Sequence, residues 1–105
     1  MPRKVKTMAT LTLTPSTVLH GDTYVVRGEL FAPGPRLIQV HMLTPNILWA
    51  ANVFADATGA FQFEVDSGYF DVEPGAPVIH NAYQQKTDTY GSGYVFMASA
   101  ILSIT

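Results

Sequence analysis

The chain has 105 residues, enough for a single domain with one modest core. Hydrophobic residues make up 48% and charged residues 13%, ordinary apolar content with about half the usual charge, which excludes a disordered chain. Net charge is −2, but Arg3, Lys4 and Lys6 form a basic arm within residues 1–8, and from Thr7 onward three basic residues face eight acidic ones; a body with that balance repels phosphate, which argues against nucleic acid as a partner.

Residues 9–105 read as one domain dominated by alternation with period two. Thr10 to Thr14 sets Leu11 and Leu13 against threonines. Thr23 to Leu30 sets Tyr24, Val26, Gly28 and Leu30 on one face, with Arg27 and Glu29 opposite. Ile38, Val40 and Met42 share the next face. Phe61, Phe63 and Val65 then point in while Gln62, Glu64 and Asp66 point out. A further strand is expected near Val78 to Tyr83, followed by a long loop over 83–96, and Ala98, Ala100, Leu102 and Ile104 line the last strand. Between these runs stand Pro15-Ser16, His20-Gly21-Asp22, Pro33-Gly34-Pro35, Thr44-Pro45-Asn46, Asp56 to Gly59, Pro74-Gly75 and Gly91-Ser92-Gly93, all with turn chemistry. Short alternating strands so punctuated predict an all-β antiparallel sandwich of about seven strands.

The carboxylates at Asp56, Glu64 and Asp66 raise the question of chemistry. A calcium loop needs acidic residues at tight alternate spacing with a closing bidentate Glu, and that pattern is absent. A catalytic pair needs a cleft and two environments that split the pKa values, which an exposed strand face does not supply. The expected role is structural: Asp56 and Gly59 shape a hairpin turn, and Glu64 and Asp66 face water. His20 falls in a turn, His41 on the outward face of its strand, and His80 on either face depending on register; three dispersed histidines are weak evidence for a metal. No nucleophile elbow, phosphate loop or dinucleotide fingerprint occurs. No enzymatic activity and no cofactor are therefore expected. The chain has no cysteine, so disulfides and zinc–thiolate sites are excluded. Its apolar runs are too short to span a bilayer, and no apolar segment follows the basic start, so folding in a cytoplasm without a signal peptide is expected.

The unexplained feature is apolar excess. The stretch from His41 to Phe54 carries Met42, Leu43, Ile47, Leu48, Trp49, Val53 and Phe54, more than one half-buried strand can cover. Trp49 belongs either to the core or, with Leu48, Tyr69, Phe70, Tyr90 and Phe96, to an exposed patch of the kind that marks protein interfaces. Those six residues, with Arg3, Lys4 and Lys6 of the arm, are the interface candidates.

In the order Pro15, Gly21-Asp22, Tyr24, Val26, Gly28 and Phe31-Ala32-Pro33-Gly34, then Ala55-Asp56, Gly59 and Phe61, then Pro74-Gly75, then Ala98-Ser99-Ala100, the chain resembles the immunoglobulin-like domains of actinobacteria and their phages, including those of virion proteins. The resemblance spans roughly residues 9 to 104. Pro77 and the long 83–96 loop depart from the pattern. The resemblance implies an immunoglobulin-like sandwich without catalytic residues, serving as an adhesive spacer or decoration. With the missing signal peptide, it leads to a virion structural protein: a capsid decoration or minor capsid protein that binds the major capsid protein or another virion protein and itself as an oligomer. A tail or connector accessory protein, and a carbohydrate- or cell-surface-binding module using Trp49, Tyr69 and Tyr90, are the alternatives.

Overall fold

A computed structural model describes residues 8–45, 48–87 and 93–105. Its strands are β1 (Thr10–Thr14), β2 (Thr17–Val18), β3 (Thr23–Glu29), β4 (Ile38–Leu43), β5 (Leu48–Val53), β6 (Phe61–Asp66), β7 (Pro77–Gln85) and β8 (Tyr94–Ile104). They form a small sheet in the order β1-β3-β6 and a large sheet in the order β2-β8-β7-β4-β5, stacked as a β-sandwich. The described residues thus contain eight strands rather than about seven. Alternation places neither β5 nor β2, and the two residues of β2 pair in parallel with Ser103 and Ile104. A segment that short has no period to read.

Alternation sorts side chains as its period requires. Leu11, Leu13, Tyr24, Val26 and Phe61 from the small sheet bury against Ile38, Val40, Val78, Ala82, Leu102 and Ile104 from the large one. Gly28 stands opposite Phe61 in the ladder, and the Phe61 ring occupies the space that a side chain at Gly28 would fill.

Three sequence expectations are corrected. Asp56 to Gly59 is not a hairpin turn, because β5 pairs with β4 and β6 pairs with β3; the turn carries the chain from one sheet to the other. β7 runs on to Gln85 and β8 starts at Tyr94, with Tyr83 already paired to Phe96, so residues 83–85 and 94–96, expected in a loop, are paired strand. Pro77, as the first residue of β7, costs that ladder little. Finally, Leu30 does not continue the buried face of β3. It takes φ 64° and turns outward, while Phe31 N–H donates to Gly59 O at 3.0 Å.

Polar side chains inside the sandwich tie down its connections. Gln84 accepts from Ala32 N–H at 3.1 Å and donates to Ala32 O at 2.8 Å, anchoring the β3–β4 loop to β7. Ser67 accepts from Gly21 N–H at 2.9 Å and donates to Leu19 O at 3.2 Å. His80, fully buried, bridges the two sheets. Its Nδ1 lies 3.0 Å from the Val78 carbonyl, which only accepts, so Nδ1 carries the proton. Nε2 is then the acceptor for the Tyr24 hydroxyl at 2.6 Å. Burial pushes the His80 pKa down to about 4, against the partial support of the Val78 carbonyl. Burial also pushes the Tyr24 phenol well above its ordinary range.

Two predictions follow from these contacts. Because Leu30 is exposed and left-handed, Leu30→Gly should stabilise the protein by about 1 kcal/mol in denaturant unfolding. For His80, the folded pKa of about 4 lies below the ordinary 6.5, so between those values the unfolded chain binds the extra proton. Stability from the neutral imidazole is complete above about pH 6.5 and is lost as pH falls through about 4, a decline of about 3 kcal/mol. Unfolding free energies measured from pH 7 to pH 4 should show that decline. A Tyr24→Phe/His80→Leu variant, with an apolar pair in the same space, should show a flatter pH dependence.

Candidate interaction surface

With His80, Val78 and Ala82 turned inward, the alternate residues of the large sheet face out. The cross-strand register sets them in rows. Leu48, Leu43, Ile79 and Ile101 lie directly opposite one another across β5, β4, β7 and β8. The next row is Ala50, His41, Asn81 and Ser99, and the third is Asn52, Gln39, Tyr83 and Phe96. In the last two rows, the His41 and Tyr83 rings meet at 4.8 Å with their planes tilted by 45°, and Tyr83 meets Phe96 edge-on at 5.7 Å. Leu48 is 58% exposed, Phe96 53% and Ile101 59%, with Ile79 and Tyr94 also open. None of these outward residues is charged.

The outer face of the small sheet is its opposite in character. Thr10, Thr12, Thr14, Thr23 and Gln62 surround Arg27 and three carboxylates, Glu29, Glu64 and Asp66. Arg27 bonds Glu29 at 2.8 Å and Gln62 at 3.0 Å, a solvated network of little energetic weight. One face of the sandwich is thus built for water and the other is not.

A second feature lies where the sheets part. β5 and β6 are sheet edges, and Trp49 on the inner side of β5 meets Tyr69 from the turn after β6 at 5.8 Å. Together with Met42, Val65 and Phe70 they line an apolar hollow of about 160 Å³. Its floor is close to the buried bond, since Phe70 packs edge-on to His80 at 6.4 Å.

The structure separates the interface candidates. Leu48 and Phe96 stand on the outer face of the large sheet. Trp49, 41% exposed, and Tyr69, 65% exposed, stand at the seam instead, so Trp49 is neither fully core nor part of that outer face. Phe70 was expected in an exposed patch and is 1% exposed. The short 3-10 turn Ser67–Tyr69, capped by Asp66 accepting from Gly68 N–H at 2.8 Å, throws Phe70 inward onto His80. His41, expected exposed, is half-covered by the Tyr83 ring. Arg3, Lys4, Lys6 and Tyr90 lie outside the described residues. Ile79, Tyr83, Tyr94 and Ile101 joined the surface without being expected there. A signal for them does exist: residues 37–55, 74–85 and 89–105 contain no Asp, Glu, Lys or Arg, and these stretches supply the four long strands of the large sheet.

Asp56 accepts from the Thr58 hydroxyl at 2.6 Å, Thr58 N–H at 2.9 Å and Ala60 N–H at 3.1 Å, and these bonds hold its carboxyl below the usual range. Among the described residues no group of three His, Cys, Asp or Glu side chains is placed to hold a metal. His20 donates from Nε2 to the Phe70 carbonyl at 2.8 Å, which is a structural tether.

No family model and no curated protein matches the chain. Among solved structures it is similar to macromomycin, with a TM-score of 0.52 and 16% identity over 92% of this chain and 99% of that one. At that identity the similarity speaks to the fold alone, and it spans almost the whole of both chains.

Proposed function

We propose that this chain is a non-enzymatic structural protein that works by docking the outer face of its large sheet onto a larger protein assembly. One observation carries the reading. That face is free of charge and exposes Leu48, Ile79, Tyr94, Phe96 and Ile101, whereas the opposite face is threonine-rich and acidic. Apolar residues scattered on a surface need no explanation, but a row of four aliphatics aligned by strand register is a contiguous patch. A flat apolar sheet with an uncharged aromatic flank fits the centre of a protein interface, where charge is depleted and Tyr and Phe are enriched.

The finer assignments rest on the residues that resemble immunoglobulin-like phage domains. On that reading the sandwich is immunoglobulin-like and the assembly is a virion, with the chain as a capsid decoration or minor capsid protein. The charged, threonine-rich sheet would then face solvent and the large sheet the shell. The 5.8 Å Trp49–Tyr69 pair favours one second reading, a surface module that stacks a ring of a carbohydrate or other ligand at the seam.

Quantitative mass spectrometry of purified particles decides the class. One copy per capsid subunit, or per few subunits, is the expected result; a handful per particle moves the chain to the tail or connector, and absence removes the virion reading. In binding assays with those particles, Ile101→Lys and Ile79→Lys should weaken attachment at least about tenfold, because each leaves a charge in the contact centre. Both sites are open to solvent, so folding should survive. Unchanged attachment in both variants would overturn the docking face. A change in Trp49 fluorescence with a glycan, without particle binding, would favour the second reading.

A further inference from the structure

Sheet edges offer unpaired N–H and C=O groups, and folded proteins blunt them with charges, prolines, bulges or very short strands. Three edges here are blunted. β6 carries Glu64 and Asp66, β1 runs directly into Pro15, and β2 is only two residues long with Pro15 and Ser16 before it. β5 is the exception among the described strands. β5 and the two residues after it, Phe54 and Ala55, hold no charge, no proline and no glycine, and the pairing of β5 with β4 is regular along all six of its residues. Two further apolar side chains stand open on it or just past it: Leu48 and Phe54, each 58% exposed.

The occupant that fits this edge is β5 of a second copy. An antiparallel pair about a two-fold axis perpendicular to the sheet keeps outward residues facing outward, so residues of the same parity must meet. Centred on Ala51, that operation sets Leu48 opposite Phe54 of the other copy on the outer face. It sets Ala50 opposite Asn52 on the same face, and Trp49 opposite Val53 at the seam. Every large apolar group of the edge then meets another, Leu48 with Phe54 and Trp49 with Val53, and the small Ala51 stands at the axis. Charge points the same way. Among the described residues seven carboxylates stand against Arg27, Arg36 and Lys86, and three of them, Glu29, Glu64 and Asp66, are on the small sheet, so approach through that sheet brings acidic groups together. At β5 none meet.

We propose that two copies of this chain pair antiparallel through β5, in the register centred on Ala51, to form a sheet continuous across the dimer. The pairing joins the two charge-free outer faces into one surface and lays Val53 of each copy beside Trp49 of the other. It does not depend on the docking reading: the dimer uses the edge of the large sheet, and its test needs no other protein.

The experiment is sedimentation equilibrium of the full chain over a concentration series, with two double variants at exposed outer-face positions. Ala50→Lys/Asn52→Lys places like charges opposite each other twice in the dimer, whereas Ala50→Lys/Asn52→Glu places opposite charges there twice. The wild-type chain should show a concentration-dependent dimer. The Lys/Lys variant should dimerise at least about tenfold more weakly, and the Lys/Glu variant should recover most of that loss. A circular dichroism spectrum unchanged in both variants separates lost pairing from lost folding. If the wild type stays monomeric at all accessible concentrations, the proposal fails. It also fails if both variants dimerise like the wild type, which would put the contact elsewhere, or if the Lys/Glu variant is as weak as the Lys/Lys variant, which would exclude this register.

Discussion

The hydrogen bond between Tyr24 and His80 crosses the middle of the sandwich, and much of the molecule is organised around it. A buried imidazole is tolerated only if both nitrogens are satisfied, and here one donates to Val78 O and the other accepts from Tyr24. That requirement fixes His80 on the inner side of β7. In a strand, parity then decides every neighbour: Val78, Ala82 and Gln84 go in, and Ile79, Asn81 and Tyr83 go out. Through the ladder the same side passes to β4 and β8, where Leu43 and Ile101 turn out, and a one-residue register shift in β8 beside Ala82 and Tyr83 brings Phe96 to that face as well. The apolar outer face is therefore the other side of the constraint that buries the histidine.

The sandwich is electrostatically two-sided. Its small sheet presents threonine, glutamine and most of a charged network to water, while its large sheet presents aliphatic and aromatic rows with no ionic group. A small domain has limited room for such a face, because each outward apolar residue is surface that folding leaves wet. That exposed apolar face is the ground of the docking we propose. The β5 edge, lacking any blunting residue, adds to the same economy of unpaired surface.

Polar residues at the turns and inside the sandwich act as fasteners. Asp56 closes its turn by accepting three hydrogen bonds, Asp66 caps the 3-10 turn, and Ser67 and His20 tie the β2–β3 connection to the segment after β6. Gln84 does the same for the loop between β3 and β4. In each case the partner is mainly backbone left over by a connection between sheets. This is where a sandwich has the most unpaired groups to satisfy.

Much of the architecture was legible in the chain itself. Period-two alternation placed β1, β3, β4, β6 and the inner face of β8, because a half-buried strand must alternate whatever its neighbours are. Turn residues placed most of the connections, and the Asp56-to-Gly59 turn formed where its side chain and glycine demanded it. What alternation does not contain is partnership. Whether that turn closes a hairpin or crosses between sheets depends on which strands β5 and β6 pair with, and those partners are distant in sequence. The inward throw of Phe70 and the side chosen by His80 likewise depend on Tyr24 and on packing across the sandwich. The surface split the same way. The charge-free stretches were visible residue by residue, but only the ladder register brought Leu48, Leu43, Ile79 and Ile101 into one row, because neighbours on a sheet are set by hydrogen bonding between strands and not by order along the chain.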